Sequence, residues 1–108
     1  MRRGTTPTLT FTLPYEIAIS TLYITFVQRD KTVLEKTENN VTIDKNKITL
    51  NLTQDETLLF QSSPTAMTLS DLPQPVYIQL RIRDADGNSF ASQIIQTSVD
   101  AILKDGVI

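Results

Sequence analysis

From Val76 to Val99 the chain reads VYIQLRIRDADGNSFASQIIQTSV, and few architectures can hold such a stretch. Val76, Ile78, Leu80 and Ile82 alternate with Tyr77, Gln79, Arg81 and Arg83. Strand side chains point to opposite faces with a period of two, so this run has one apolar face and one wet face. Asp84-Ala85-Asp86-Gly87-Asn88-Ser89 follows, rich in residues that bond their own backbone or tolerate positive φ. A second run, Phe90 to Val99, completes the pattern strand, Asp-Gly turn, strand, which is a strong hairpin signal. Ile94 and Ile95 break the alternation. Either both faces are covered there or a bulge resets the phase, and the bulge is the preferred reading.

The same period appears upstream. Leu9, Phe11 and Leu13 alternate with Thr8, Thr10 and Thr12, and Pro14 ends that strand because it has no N–H to donate. Thr21 to Gln28 places Leu22, Ile24 and Phe26 on one face. Arg29-Asp30-Lys31 turns it into a return strand, Thr32 to Thr37, whose phase is open because Val33 and Leu34 are adjacent. Val41-Thr42-Ile43 and Lys47 to Leu52, set off by two tight turns, are expected to continue a meander.

Thr53-Gln54-Asp55-Glu56 precedes Leu58-Leu59-Phe60, the signature of a capping box, and predicts a short helix over 54–60. Such a helix is marginal alone and must be held by packing its apolar residues on a sheet. Gln61 to Pro75 is expected to be loop, with a short edge strand at Ala66 to Leu69. Some seven strands with turn chemistry between them predict an all-β fold. The expected form is an antiparallel, immunoglobulin-like β-sandwich whose helix lies at a crossover. The length suits one domain, 1–108, with short arms at 1–8 and 101–108. Val107-Ile108 is apolar and is expected to fold back on its own domain or to dock on another chain.

Composition narrows the function classes. A net charge of −2 and the absence of a basic cluster argue against a nucleic-acid partner or an anionic membrane surface. The chain holds no His and no Cys, which removes the commonest general base, the commonest metal ligand and any thiolate. No apolar run reaches the ~18 residues of a membrane span. Thr, Pro and Glu interrupt the stretch after Arg2-Arg3, so no export signal is expected.

Asp84-x-Asp86-Gly87-Asn88 resembles half a calcium loop, but Gly87 comes two positions early and Ile95 stands where the bidentate Glu belongs. Turn chemistry accounts for these residues, and no metal or cofactor is expected. The carboxylate pairs Asp55/Glu56, Glu35/Glu38 and Asp84/Asp86 occupy turn, cap or exposed positions, so no catalytic residue and no enzyme activity are expected. Tyr77, Gln79, Arg81 and Arg83 form a polar stripe that could meet a partner, or be solvated and paired with a carboxylate such as Glu35.

Several segments together carry a resemblance. RGTTPTLTFTLP (Arg3 to Pro14), YITFVQ (Tyr23 to Gln28), LTQDETLLF (Leu52 to Phe60), the IQLRIRDADGNSFAS hairpin and the ILKDGVI ending resemble a group of small proteins of phages and prophages. Their hosts are Gram-positive gut bacteria, and the genes usually lie among structural genes. More loosely, the hairpin is similar to the N-terminal β-sandwich of baseplate upper proteins from phages of lactic-acid bacteria. The resemblance implies a virion structural or assembly component, in the tail or baseplate, acting by protein–protein contact with other virion proteins or copies of itself. It places the protein in the virion, or in the host cytoplasm during assembly. Expected contact residues are Arg2 and Arg3 in the N-terminal arm, Leu103, Val107 and Ile108 in the C-terminal arm, and Tyr77, Arg81 and Arg83 on the sheet. The other reading is a carbohydrate- or cell-surface-binding module using exposed tyrosines.

Overall fold

A computed structural model describes residues 1–60, 74–99 and 106–108. In chain order it has β1 (Thr8–Thr12), β2 (Ile19–Gln28), β3 (Lys31–Thr37), a 3-10 turn (Glu38–Asn40), β4 (Thr42–Asp44) and β5 (Lys47–Asn51). The helix α1 (Gln54–Leu58) follows, then β6 (Gln74–Asp84), β7 (Ser89–Ala91) and β8 (Ile95–Val99). The expected edge strand at Ala66 to Leu69 lies outside the described residues.

Two antiparallel sheets result. One has the order β1-β5-β4; the other runs β3-β2-β6, with both β7 and β8 on the far side of β6. The smaller sheet thus matches strands B, E and D of an immunoglobulin-like sandwich, and the larger matches C′, C, F and G. The fold is all-β and of that class, as the alternation predicts. Its one α-helix among the described residues sits where the chain crosses from the small sheet to the large one.

Burial follows the period of two. Leu22, Ile24 and Phe26 of β2, Val76, Ile78, Leu80 and Ile82 of β6, and Ile48 and Leu50 of β5 form one cluster with Leu52, Phe60 and Val99. Residues from both sheets therefore share a single core, which is what an apolar face on each sheet requires. Among the described residues no helix is long and apolar enough to cross a membrane.

The ambiguous phases resolve through bulges. Phe26 stands opposite Leu34 and Val27 opposite Thr32, so Val33 is the extra residue in the β2–β3 ladder. At the other edge Arg81 faces Ala91 while Ile78 faces Ile95, leaving Ser92-Gln93-Ile94 against Gln79-Leu80. Strands β7 and β8 are thus one edge strand broken by a bulge, as the Ile94-Ile95 pair predicts.

The expected meander is corrected in one respect. β4 pairs with β5 but not with β3, because the chain changes sheets at the 3-10 turn. Thr37 caps that turn reciprocally with Asn40, and the Glu38 carboxylate accepts the Leu22 N–H at 3.1 Å. These local bonds redirect the chain where composition reads only as a turn.

The helix carries its predicted capping box. The Glu56 N–H donates to the Thr53 hydroxyl (3.2 Å), and the Thr53 N–H donates to the Glu56 carboxylate (2.9 Å). Lys36 of β3 pairs with the other oxygen of that carboxylate. After Leu58 the chain tightens into bonds from the Leu59 N–H to Glu56 and from the Phe60 N–H to Thr57. Phe60 then lies against Phe26, with ring centroids 5.7 Å apart.

Candidate interaction surface

Strand β6 is central in the larger sheet, and its register decides which side chains share the outer face. Tyr23 of β2 stands opposite Arg81, Thr25 opposite Gln79 and Val27 opposite Tyr77. On the other side Ala91 faces Arg81, and Gln96 faces Tyr77. Because partners across a ladder point the same way, these residues form one continuous outward surface.

Tyr23 and Tyr77 are each about two-fifths exposed, and Ile94 is 64% exposed. Thr25, Val27, Tyr77, Gln79, Arg81 and Ile94 line a shallow, mainly apolar groove of about 410 Å³. The bulge creates its far wall: the extra residue turns Ile94 outward while Ile95 keeps the inward phase of Thr97 and Val99. Toward the hairpin turn, Arg83, Thr21 and Ser89 extend the face with polar groups.

Three predicted contact residues, Tyr77, Arg81 and Arg83, are brought together here. Glu35 is not their partner, since it stands opposite Thr25 on β3, with β2 between it and β6. Among the described residues Arg81 and Arg83 make no ion pair. The expected contact residues did not include Tyr23, Val27 or Ile94. The alternation of β2 already sets Tyr23 and Val27 on its outer face, but not beside Arg81 and Tyr77, whereas Ile94 depends on where the bulge falls.

The N-terminal residues are engaged elsewhere. The Arg3 guanidinium donates to the Phe60 carbonyl (Nε, 2.8 Å) and the Leu58 carbonyl (Nη2, 3.1 Å), closing the end of α1. That contact satisfies carbonyls a helix terminus leaves unpaired. The Met1 amino group donates to the Ser98 carbonyl at 2.8 Å, and the buried Thr57 hydroxyl reaches the Thr5 carbonyl at 2.9 Å. Arg2 is exposed, and its carbonyl accepts from the Thr5 hydroxyl. The segment from Met1 to Thr5 is thus fastened to its own domain.

At the other end Leu103 lies outside the described residues. Ile108 bonds Gln54 of α1 twice, through its N–H (2.8 Å) and its oxygen (3.2 Å). The expected fold-back holds for its backbone, while the Val107 and Ile108 side chains remain exposed.

The calcium-like residues serve the hairpin turn. One Asp84 carboxylate oxygen accepts the Asp86 N–H (3.0 Å) and the Asn88 N–H (2.8 Å). Gly87 takes φ +88°, which an L-residue adopts only under strain. Among the described residues no group of three or more acidic side chains is gathered as a metal site.

No protein-family model matches the chain, and no curated protein matches it. Among solved structures it is similar to the V domain of amphioxus IgVJ-C2, at 13% identity and a TM-score of 0.36, over 94% of this chain and 97% of that one.

Proposed function

We propose that the protein is a structural or assembly component of a phage or prophage particle, in the tail or baseplate. It acts by protein–protein contact and not by catalysis. The observation that carries this reading is the outer face of the larger sheet, where Tyr23, Val27, Tyr77 and Ile94 adjoin Gln79 and Arg81. Aromatic side chains and arginine grouped round a shallow apolar depression are the residue types that dominate binding energy at protein interfaces. The segments resembling phage structural-gene products support the choice of particle. The expected partners are other virion proteins, met in the virion or in the host cytoplasm during assembly.

The test is antibody labelling of purified particles by electron microscopy. Label at the tail or tail tip is expected, and Arg81→Glu with Tyr77→Ala should abolish incorporation while leaving the circular dichroism native. Absence of the chain both from particles and from assembly intermediates in the host cytoplasm overturns the reading. The shared exposure of Tyr23 and Tyr77 on one face also favours a sugar platform as the second reading. Selective binding on a glycan array, lost in Tyr77→Ala, would put a carbohydrate-binding module in its place.

A further inference from the structure

Among the described residues β1 pairs with β5 alone. The Leu52 N–H bonds the Pro7 carbonyl (3.0 Å) and the Leu13 N–H bonds the Asn46 carbonyl (2.7 Å). In an antiparallel ladder hydrogen-bonded pairs alternate with non-bonded ones. Leu9 and Phe11 therefore direct their main-chain groups at β5, and the N–H and C=O of Thr8, Thr10 and Thr12 point away from it. All three threonines are exposed.

Open strand edges invite pairing with another chain, and proteins blunt them with charge, proline, bulges or brevity. The other edges here are blunted. β3 carries Lys31, Glu35, Lys36 and a bulge; β4 is three residues long; the β7–β8 edge is broken by its own bulge. The TLTFT of β1 has none of these devices, and Pro7 and Pro14 lie outside it.

A second feature lies on the same side of the molecule. Between the chain that follows β1 and the β7–β8 edge, a cavity of about 530 Å³ opens between the two sheets. Leu13, Tyr15, Ile17, Phe90 and Ile95 line it. Ile95 has the inward phase yet is 41% exposed, because nothing among the described residues closes that mouth.

We propose that two copies of this chain join through β1, antiparallel about a two-fold axis at Thr10. This goes beyond the contact face described above and uses none of its residues. In that register Thr10 pairs with the Thr10 of the second copy, and Thr8 pairs with Thr12. Every outward N–H and C=O of the three threonines is then satisfied. Leu9 and Phe11 of each copy stay on the core side of a sheet that becomes six-stranded, β4-β5-β1 continued by β1-β5-β4. No like charges meet, since Lys47 flanks Thr12 while Asn51 flanks Thr8. Each open mouth, at the Thr12 end, meets the Pro7 end of the other copy, and its apolar lining supplies burial that a five-residue ladder lacks alone.

The chain contains no cysteine, so single-cysteine variants report the register directly. Hydrogen-bonded partners across an antiparallel ladder have Cα atoms about 5.5 Å apart, within disulfide range. Thr10→Cys in the full chain should form a covalent dimer under mild oxidation, and Thr12→Cys should not. Thr10→Lys sets like charges opposite each other and should weaken dimerisation in light scattering by roughly fivefold or more, with native circular dichroism. A monomeric wild type at about 100 µM, a concentration chosen for weak dimers, overturns the proposal. Equal cross-linking of both cysteine variants overturns it as well. Tyr77→Ala should leave the dimer intact, which separates this result from the outcome for the sheet face.

Discussion

The hydroxyl of Ser92 accepts the main-chain N–H of Leu80 at 3.0 Å, while the Ser92 N–H donates to the Leu80 carbonyl at 2.8 Å. One residue thus supplies both ladder partners for a buried position at the place where the bulge interrupts the strand. The same hydroxyl donates to the Gln93 carbonyl at 2.8 Å, so its proton is already committed and its lone pair faces Leu80.

Ser92→Ala should therefore cost about 1–3 kcal/mol, because it leaves a buried N–H without an acceptor. Urea denaturation would show this as a lower midpoint at unchanged slope. A midpoint within error of wild type would mean that water replaces the hydroxyl.

The turn between β2 and β3 is strained. Arg29 and Asp30 adopt φ of +54° and +61°, the pair of positive angles a two-residue hairpin demands, without the Asn-Gly that fits them best. Arg29→Asn with Asp30→Gly should stabilise the fold by about 0.5–1 kcal/mol. Thermal melting should rise by a few degrees, and a fall would show that the Arg29 or Asp30 side chain makes a compensating contact.

Two neighbours at the end of α1 should behave in opposite ways. Phe60 is 1% exposed and lies on Phe26, so Phe60→Ala should cost about 3–5 kcal/mol. Leu59 is 54% exposed, and Leu59→Ala should stay within about 0.5 kcal/mol of wild type. Comparable losses for both would place the chain after α1 on a different path.

Acid should destabilise the protein through two glutamates. The Leu22 N–H, and then Glu38's own N–H, hold the Glu38 carboxyl below its ordinary 4.5. Burial pushes the Glu56 carboxyl up, but Lys36 and Thr53 together outweigh it and leave it lowered. The folded chain then binds fewer protons than the unfolded chain just below pH 4.5, so stability rises with pH through that window. It is complete above the window and lost as pH falls through the folded values. Urea midpoints from pH 3 to 6 should show this slope, and Glu38→Gln should flatten it. An unchanged slope in that variant would remove Glu38 from the account.

Particular residues show how far the sequence reaches. The alternation of β6 fixes which of its faces is buried, because a period of two leaves no choice once one side must leave water. Thr53 and Glu56 announce the helix start, since both halves of a capping box lie within four residues. The Asp84 to Asn88 turn is equally local. Each of these depends on neighbours a few positions apart, and each is legible without a fold.

The candidate surface was only half legible. Tyr77, Arg81 and Arg83 alternate on one strand, but Ile94 joins them only because the edge bulges at Ser92, and Tyr23 and Val27 only because β2 pairs with β6 in one register. Arg3 reads as a contact residue of the N-terminal arm, and the fold brings it to the carbonyls of Leu58 and Phe60, more than fifty positions away. Strand order decides which edge stays open, and among the described residues it leaves β1 unpaired on one side. Local chemistry wrote the elements and their faces. Long-range pairing, set by how two apolar sheets close on a shared core, determined which side chains became neighbours.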